Sequence, residues 1–135
     1  MTVIIGIDTH KASHTAVAIG CDEQQLAEVG VRATCLQMAK LLAWAEPIGP
    51  RTWAVESAGR LGYLLSQQLV SAGEEVLDVP ATLASRVRVL GTGRSNKNDP
   101  NDALSVAIAA LRSPGLRSVE PANHSEVRLM SPRVV

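Results

Sequence analysis

Four acidic residues in this chain occupy positions where a carboxylate could do chemistry. Asp8 and Glu56 each close an apolar run, and Asp99 and Asp102 stand three residues apart at the head of a helical pattern. Carboxylates converging from different elements hold hard divalent cations such as Mg²⁺ and Mn²⁺, whose preferred ligands are oxygens. Two such ions about 3.5–4 Å apart can activate an attacking oxygen and stabilise a leaving one at a phosphodiester. Each acid also has a simpler role. Asp99 and Asp102 can cap a helix and complement its dipole, and that role coexists with sharing a cation, because residues three apart lie on one helix face. Asp8 ends a run of Val and Ile, so its charge sits at the margin of the core and needs a partner, water or metal. Glu56 repeats the arrangement after Trp53-Ala54-Val55. Two acids ending central strands and a pair opening a helix favour a site over coincidence.

The elements that must position these acids can be read from pattern. Thr2 to Asp8 is continuous and β-branched, as in a strand buried on both faces. After a turn through Thr9-His10-Lys11-Ala12, residues 14–19 alternate, and Gly20-Cys21-Asp22-Glu23 turns the chain into a third strand near Leu26 to Val31. Thr34 suits the N-cap of a helix from about Cys35 to Glu46, ended by Pro47-Ile48-Gly49-Pro50. Thr52 to Val55 forms a strand leading to Glu56, and Leu61, Leu64, Leu65 and Leu69 mark one face of a helix closed by Gly73. Glu75 to Val79 is a short strand stopped by Pro80, and a helix over 81–90 leads to a polar loop, 91–98. Asp99 as N-cap and Pro100 as first helical residue open a last helix to about Arg112. The order is three antiparallel strands, then helix, strand, helix, strand and helices, which is an α/β layered domain. Right-handed crossovers between parallel strands would bring Asp8 and Glu56 to the same carboxyl edge, where α/β sheets place their sites.

Composition narrows the chemistry. Lys plus Arg equals Asp plus Glu at 13 each, so no global basic field draws the chain to nucleic acid. Any such attraction is local, and Arg86, Arg88, Arg94 and Lys97 fall in the acid-free stretch between Asp78 and Asp99, where they read either as a solvated face or as phosphate contacts. With no Phe, one Tyr and two Trp, stacking on aromatic platforms is excluded as the main binding mode, and Trp44 and Trp53 are assigned to the core. His10, Lys11 and His14 flank Asp8 and could steer a phosphate or an RNA, while the plainer reading is hydrogen-bonding support of the loop. Cys21 and Cys35 have no metal-binding spacing and read as small apolar side chains in a reducing compartment. Gly91-Thr92-Gly93-Arg94-Ser95 lacks the Gly-Lys-Ser/Thr ending of a phosphate loop and follows a helix. The run Val3 to Ile7 is too short for a membrane span or leader, so the expected location is the cytoplasm without membrane association.

Three segments together resemble one family. Ile5-Gly6-Ile7-Asp8-Thr9-His10-Lys11 with His14 to Ala18, then Ala54-Val55-Glu56-Ser57-Ala58-Gly59 with Gly62-Tyr63, then Asn98-Asp99-Pro100-Asn101-Asp102-Ala103 look like the ordered motifs of the DEDD transposases of the insertion-sequence one-ten family and the related Piv-type DNA invertases. That resemblance implies a ribonuclease-H-like (RuvC-like) α/β fold, a mixed five-stranded sheet flanked by helices, over residues 1–113. It further implies that Asp8, Glu56, Asp99 and Asp102 bind two Mg²⁺ or Mn²⁺ ions for DNA strand cleavage and exchange. Lys11, Arg86, Arg88, Arg94 and Lys97 are then the nucleic-acid contacts. Family members carry a C-terminal domain with a nucleophilic serine, several use a structured bridge RNA, and a homo-oligomer is expected of the full-length protein. Residues 114–135 read as a linker or tail, with weak helical potential near Glu126 to Met130 and nothing matching that second domain. Ser131 is not taken for the nucleophile, and the chain is expected to be an excised or truncated domain unable to transpose alone.

Two other readings compete. A noncatalytic remnant would bind DNA, RNA or an intact transposase subunit. Half of an actin-like or sugar-kinase ATPase would also begin Gly-Ile-Asp, but its phosphate turn needs a glycine where Thr9-His10-Lys11 stands.

Overall fold

The computed structural model of the chain describes residues 2–92 and 99–122, and within them the side chains of residues 2–87 and 102–122. Strands β1 (Val3–Thr9), β2 (Ser13–Ile19) and β3 (Gln25–Arg32) form an antiparallel meander. Helix α1 (Gln37–Ala45) then crosses to β4 (Arg51–Glu56), which pairs parallel with β1, and α2 (Tyr63–Ser71) crosses to β5 (Val76–Val79), parallel with β4. The sheet order is β3-β2-β1-β4-β5, and α3 (Ala81–Thr92) and α4 (Asp99–Arg112) follow. The sheet is therefore mixed and five-stranded, as the motifs imply.

Strand alternation sorts the side chains onto two faces. Ile5, Ile7, Ala16, Ala18, Trp53 and Val55 face one way and meet Leu41 and Ala45 of α1 and Leu65 and Leu69 of α2. Ile4, Val17, Ile19 and Ala54 face the other way, against Ala103, Val106, Ala107 and Ala109 of α4. Both layers are almost wholly aliphatic, and Trp53, fully buried, donates its indole N–H to Glu74 Oε1 at 2.6 Å. A bidentate Arg51–Glu74 pair at 3.0 and 2.9 Å holds the same carboxylate in place.

Gly6, in the middle of β1, decides how closely α4 can lie. A Cβ at that position would be 2.8 Å from the Ala107 Cβ and inside van der Waals contact of the Ala103 carbonyl and the Ala107 nitrogen. Glycine below and alanine above thus let the helix backbone rest on the strand.

Several details depart from the sequence expectation. Leu61 and Leu64 are 50% and 40% exposed, because α2 starts at Tyr63 and turns its buried stripe through Leu65 and Leu69. Thr34 does not cap α1 directly. Its hydroxyl accepts from Leu36 N–H at 3.2 Å in a turn before the helix, which starts at Gln37. Cys21 and Cys35 are exposed rather than packed, since both fall in polar turns. Residues 116–122, expected within the linker, lie antiparallel along β5: Asp78 N–H donates to Arg117 O at 2.9 Å and Val119 N–H to Val76 O at 2.8 Å. Gln67 grips the same segment through Glu120 O and Ala122 N–H. Residues 123–135 lie outside the described residues. Among the described residues no helix is long and apolar enough to cross a membrane.

His14 supports the fold from the α1 side of the sheet. Buried on β2, it donates from Nε2 to Gln37 Oε1 at 2.9 Å, and Gln37 in turn donates to Gln68 Oε1 at 2.7 Å, linking β2, α1 and α2.

Two predictions follow from this packing. Gly6→Ala should destabilise the chain by roughly 2–3 kcal/mol in urea unfolding through overpacking against α4. Gly59→Ala, where a Cβ meets open space, should stay within about 0.5 kcal/mol of wild type. Desolvation of His14 pushes its pKa below the ordinary 6.5, only partly opposed by the bond to Gln37. Well above 6.5 the imidazole is neutral in both states and adds no pH dependence. As pH falls through that value the unfolded chain takes up the proton first, so stability should decline until the lowered folded pKa is reached and then level off. His14→Gln should flatten that part of the profile of urea midpoint against pH.

Candidate functional site

Asp8 and Glu56 reach one edge of the sheet because their strands are parallel and in register. The ladder runs from Val3 opposite Arg51 to Ile7 opposite Val55, and Asp8 and Glu56 are the next residues of the two strands. Both share the parity of Gly6 and Ala54, so both belong to the face that α4 covers. Asp8 is 5% exposed, whereas Glu56 is half-buried. A carboxylate so enclosed at the end of an apolar strand needs compensating polar or cationic groups.

The compensating group comes from the next turn, and α4 brings a second acid. His10 N–H donates to Ser13 O at 3.0 Å in the tight β1–β2 connection, which folds the imidazole back onto the acid, with His10 Nε2 2.7 Å from Asp8 Oδ2. Asp102, half-buried in the first turns of α4, completes the group: one ligand atom each from Asp8, His10 and Asp102 all lie within 4.8 Å of one another. Asp102 is there because the neighbouring Ala103 is the residue that rests on Gly6.

A second device shapes the end of β4. Ser57 takes a left-handed conformation, φ 59°, immediately after Glu56, a cost that a non-glycine residue bears only when its surroundings enforce it. Three contacts do so. Ser57 N–H donates to Val79 O at 3.3 Å, Ala58 N–H donates to Asp78 Oδ1 at 3.3 Å, and Thr9 Oγ1 donates to Glu56 O at 3.4 Å. Gly62 lets the turn fold over the strand end, since a Cβ there would stand 2.7 Å from Val55 Cγ1.

Of the four acids, Asp8 and Asp102 are brought together directly. Glu56 sits one strand over and is not among the three residues whose ligand atoms share the 4.8 Å group. Asp99 opens α4 one turn before Asp102, and its side chain lies outside the described residues. Lys11 is exposed in the β1–β2 turn beside Asp8, and Arg86 is exposed on α3. The Arg88 side chain, Arg94 and Lys97 lie outside the described residues. Reading the sequence did not assign His10 to the acidic group or Asp78 to the Glu56 turn. The tight turn at Thr9-His10-Lys11 signalled the first; nothing local marks the second. The donor set of two carboxylates and an imidazole, two of them at least half-buried, fits a divalent cation.

Residues 5–131 match the model of the IS110 DEDD family, described as transposase. The chain belongs to that family. Among sequence relatives of these DEDD transposases, the IS116 uncharacterized 44.8 kDa protein of Streptomyces clavuligerus is 33% identical over 106 residues, covering 78% of the chain and 26% of that relative. The chain thus spans about a quarter of the curated relative it matches. Two solved structures share its fold. A Thermus thermophilus RuvC in complex with a Holliday junction substrate matches with a TM-score of 0.66 at 14% identity, over 88% of this chain and all of that one. Another Thermus thermophilus RuvC structure matches with a TM-score of 0.61 at 17% identity, over 87% of this chain and all of the other. The ribonuclease-H-like, RuvC-like architecture implied by the motifs is therefore the fold of this transposase-family domain.

The Glu56 turn yields a test. Asp78→Ala removes the acceptor for Ala58 N–H and should cost about 1 kcal/mol in urea unfolding. Asp78→Asn, which keeps an oxygen at that position, should lose clearly less.

Proposed function

We propose that the chain is the N-terminal catalytic domain of a transposase or site-specific DNA recombinase, in which Asp8, Glu56, Asp99 and Asp102 hold divalent metal for DNA strand cleavage and exchange. The observation that carries this reading is the meeting of Asp8, at the end of β1, with Asp102, at the head of α4, in a member of the DEDD transposase family. Mg²⁺ or Mn²⁺ is the expected ion, two per site. Bound there, such ions supply Lewis acidity toward a phosphodiester and its attacking oxygen. The residues would do the positioning: Asp8 offers a largely desolvated carboxylate, α4 holds Asp102 near it, and Glu56 ends the neighbouring parallel strand.

DNA is the proposed substrate. The RuvC bound to a Holliday junction supports a branched duplex as the kind of DNA this fold accommodates. Lys11 and Arg86, with Arg88, Arg94 and Lys97, would neutralise phosphates locally, which suits a chain of zero formal net charge. A structured guide RNA and self-association of the full-length protein belong to the same proposal through the family resemblance.

The direct test is calorimetric titration of the chain with Mg²⁺ and with Mn²⁺, using wild type, Asp8→Asn and Asp102→Asn. Both variants should keep the wild-type melting temperature or exceed it, because a like-charge contact is relieved. Asp8→Asn should weaken binding at least about 100-fold, and Mg²⁺-dependent cleavage of branched DNA by an intact transposase subunit carrying the substitution should vanish with it. Wild-type binding or cleavage in Asp8→Asn would overturn the assignment.

A further inference from the structure

His10 stands in the acidic group without belonging to the four-acid pattern. Its backbone is held by the hairpin: its own N–H is tied to Ser13 O, and the residue before it, Thr9, pairs with His14 in the β1–β2 ladder. The ring is therefore delivered to Asp8 by the hairpin itself, with Nε2 at 2.7 Å from Oδ2. The imidazole is 46% exposed while the Asp8 side chain is 8% exposed, so His10 covers the solvent side of a buried oxygen donor.

The spacing suits a shared ion. Donors about 2.1 Å from an octahedral cation lie roughly 3.0 Å apart when adjacent and roughly 4.2 Å apart when opposite. His10 Nε2 stands 2.7 Å from Asp8 Oδ2, close to the first separation, and ligand atoms of Asp8, His10 and Asp102 all lie within 4.8 Å of one another, close to the second. Two carboxylates alone would make an oxygen site suited to Mg²⁺. An imidazole nitrogen changes the chemistry, because nitrogen ligands favour first-row transition ions, in an order that rises from Mn²⁺ to Co²⁺.

We propose that His10 is a nitrogen ligand of the metal centre and that it biases the centre toward transition-metal ions over Mg²⁺. This rests on the reading of Asp8 and Asp102 as metal ligands and adds to it a fifth residue and a metal preference.

The test compares wild type, His10→Ala, His10→Gln and Asp8→Asn as the 135-residue chain, with Mg²⁺, Mn²⁺ and Co²⁺ titrated separately and the visible absorption of Co²⁺ recorded. His10→Ala should weaken Co²⁺ about tenfold or more, Mn²⁺ about threefold and Mg²⁺ less than about twofold, with an altered Co²⁺ spectrum. His10→Gln retains a hydrogen-bond donor for Asp8 but no imidazole, and should behave as His10→Ala does. Equal losses for all three ions, or wild-type affinities and spectrum in His10→Gln, would overturn the proposal and leave His10 as a hydrogen-bonding support of Asp8. If His10→Ala matches wild type while Asp8→Asn abolishes binding, the metal centre stands and only the role of His10 falls. Absence of binding by folded wild type would remove both.

Discussion

The close approach of α4 to β1 at Gly6 is the contact on which the rest of this domain depends. A helix ordinarily stands off a sheet by the thickness of its side chains, but here the Ala103 carbonyl and Ala107 backbone occupy the space where a Cβ would be. That contact fixes the height of α4 above the strand and, through Ala103, the place of Asp102 one residue earlier. The charged end of the buried strand and the acidic head of the helix are consequently held together by packing rather than by any attraction between them. Aliphatic layers on both faces of the sheet supply the energy that keeps two like charges near each other.

From that constraint the site acquires its asymmetry. The α1 and α2 side of the sheet is closed by an aliphatic core and by the buried His14–Gln37–Gln68 chain. The α4 side carries Asp8, Glu56 and Asp102 toward one edge. The turn after Glu56 is enforced by Asp78, Val79 and Gly62, so the two parallel strands end in different ways: β1 in a hairpin that returns His10 to its acid, β4 in a left-handed turn at Ser57. On the α4 side, ligand atoms of Asp8, His10 and Asp102 lie within 4.8 Å of one another.

Much of the architecture was legible because its signals are local. The Val3 to Ile7 run, the Pro47 and Pro50 breakers, Gly73 at φ 91° and the Asp99-Pro100 start each mark an element without reference to distant residues. The arrival of Asp8 and Glu56 at the same edge of the sheet followed from parallel pairing, which the strand-helix-strand order implied. What escaped was set by contacts far apart in sequence. Leu61 and Leu64 fit a helical stripe on paper, yet where α2 begins and which way it rolls against Trp53 and Val55 leaves them exposed. The docking of 116–122 along β5 depends on the edge that β5 presents and on Gln67, neither visible in a segment rich in Ser, Pro and Arg. His10 was read as support for its loop, since whether an imidazole also joins an acidic group depends on where Asp102 arrives, 92 residues later.

A Mn²⁺-soaked crystal of the chain, read by anomalous scattering, tests the central claim most directly. Manganese is expected within about 2.0–2.3 Å of carboxylate oxygens of both Asp8 and Asp102, on the α4 side of the sheet edge. A well-diffracting crystal saturated with Mn²⁺ whose anomalous peaks all lie away from that edge would contradict it.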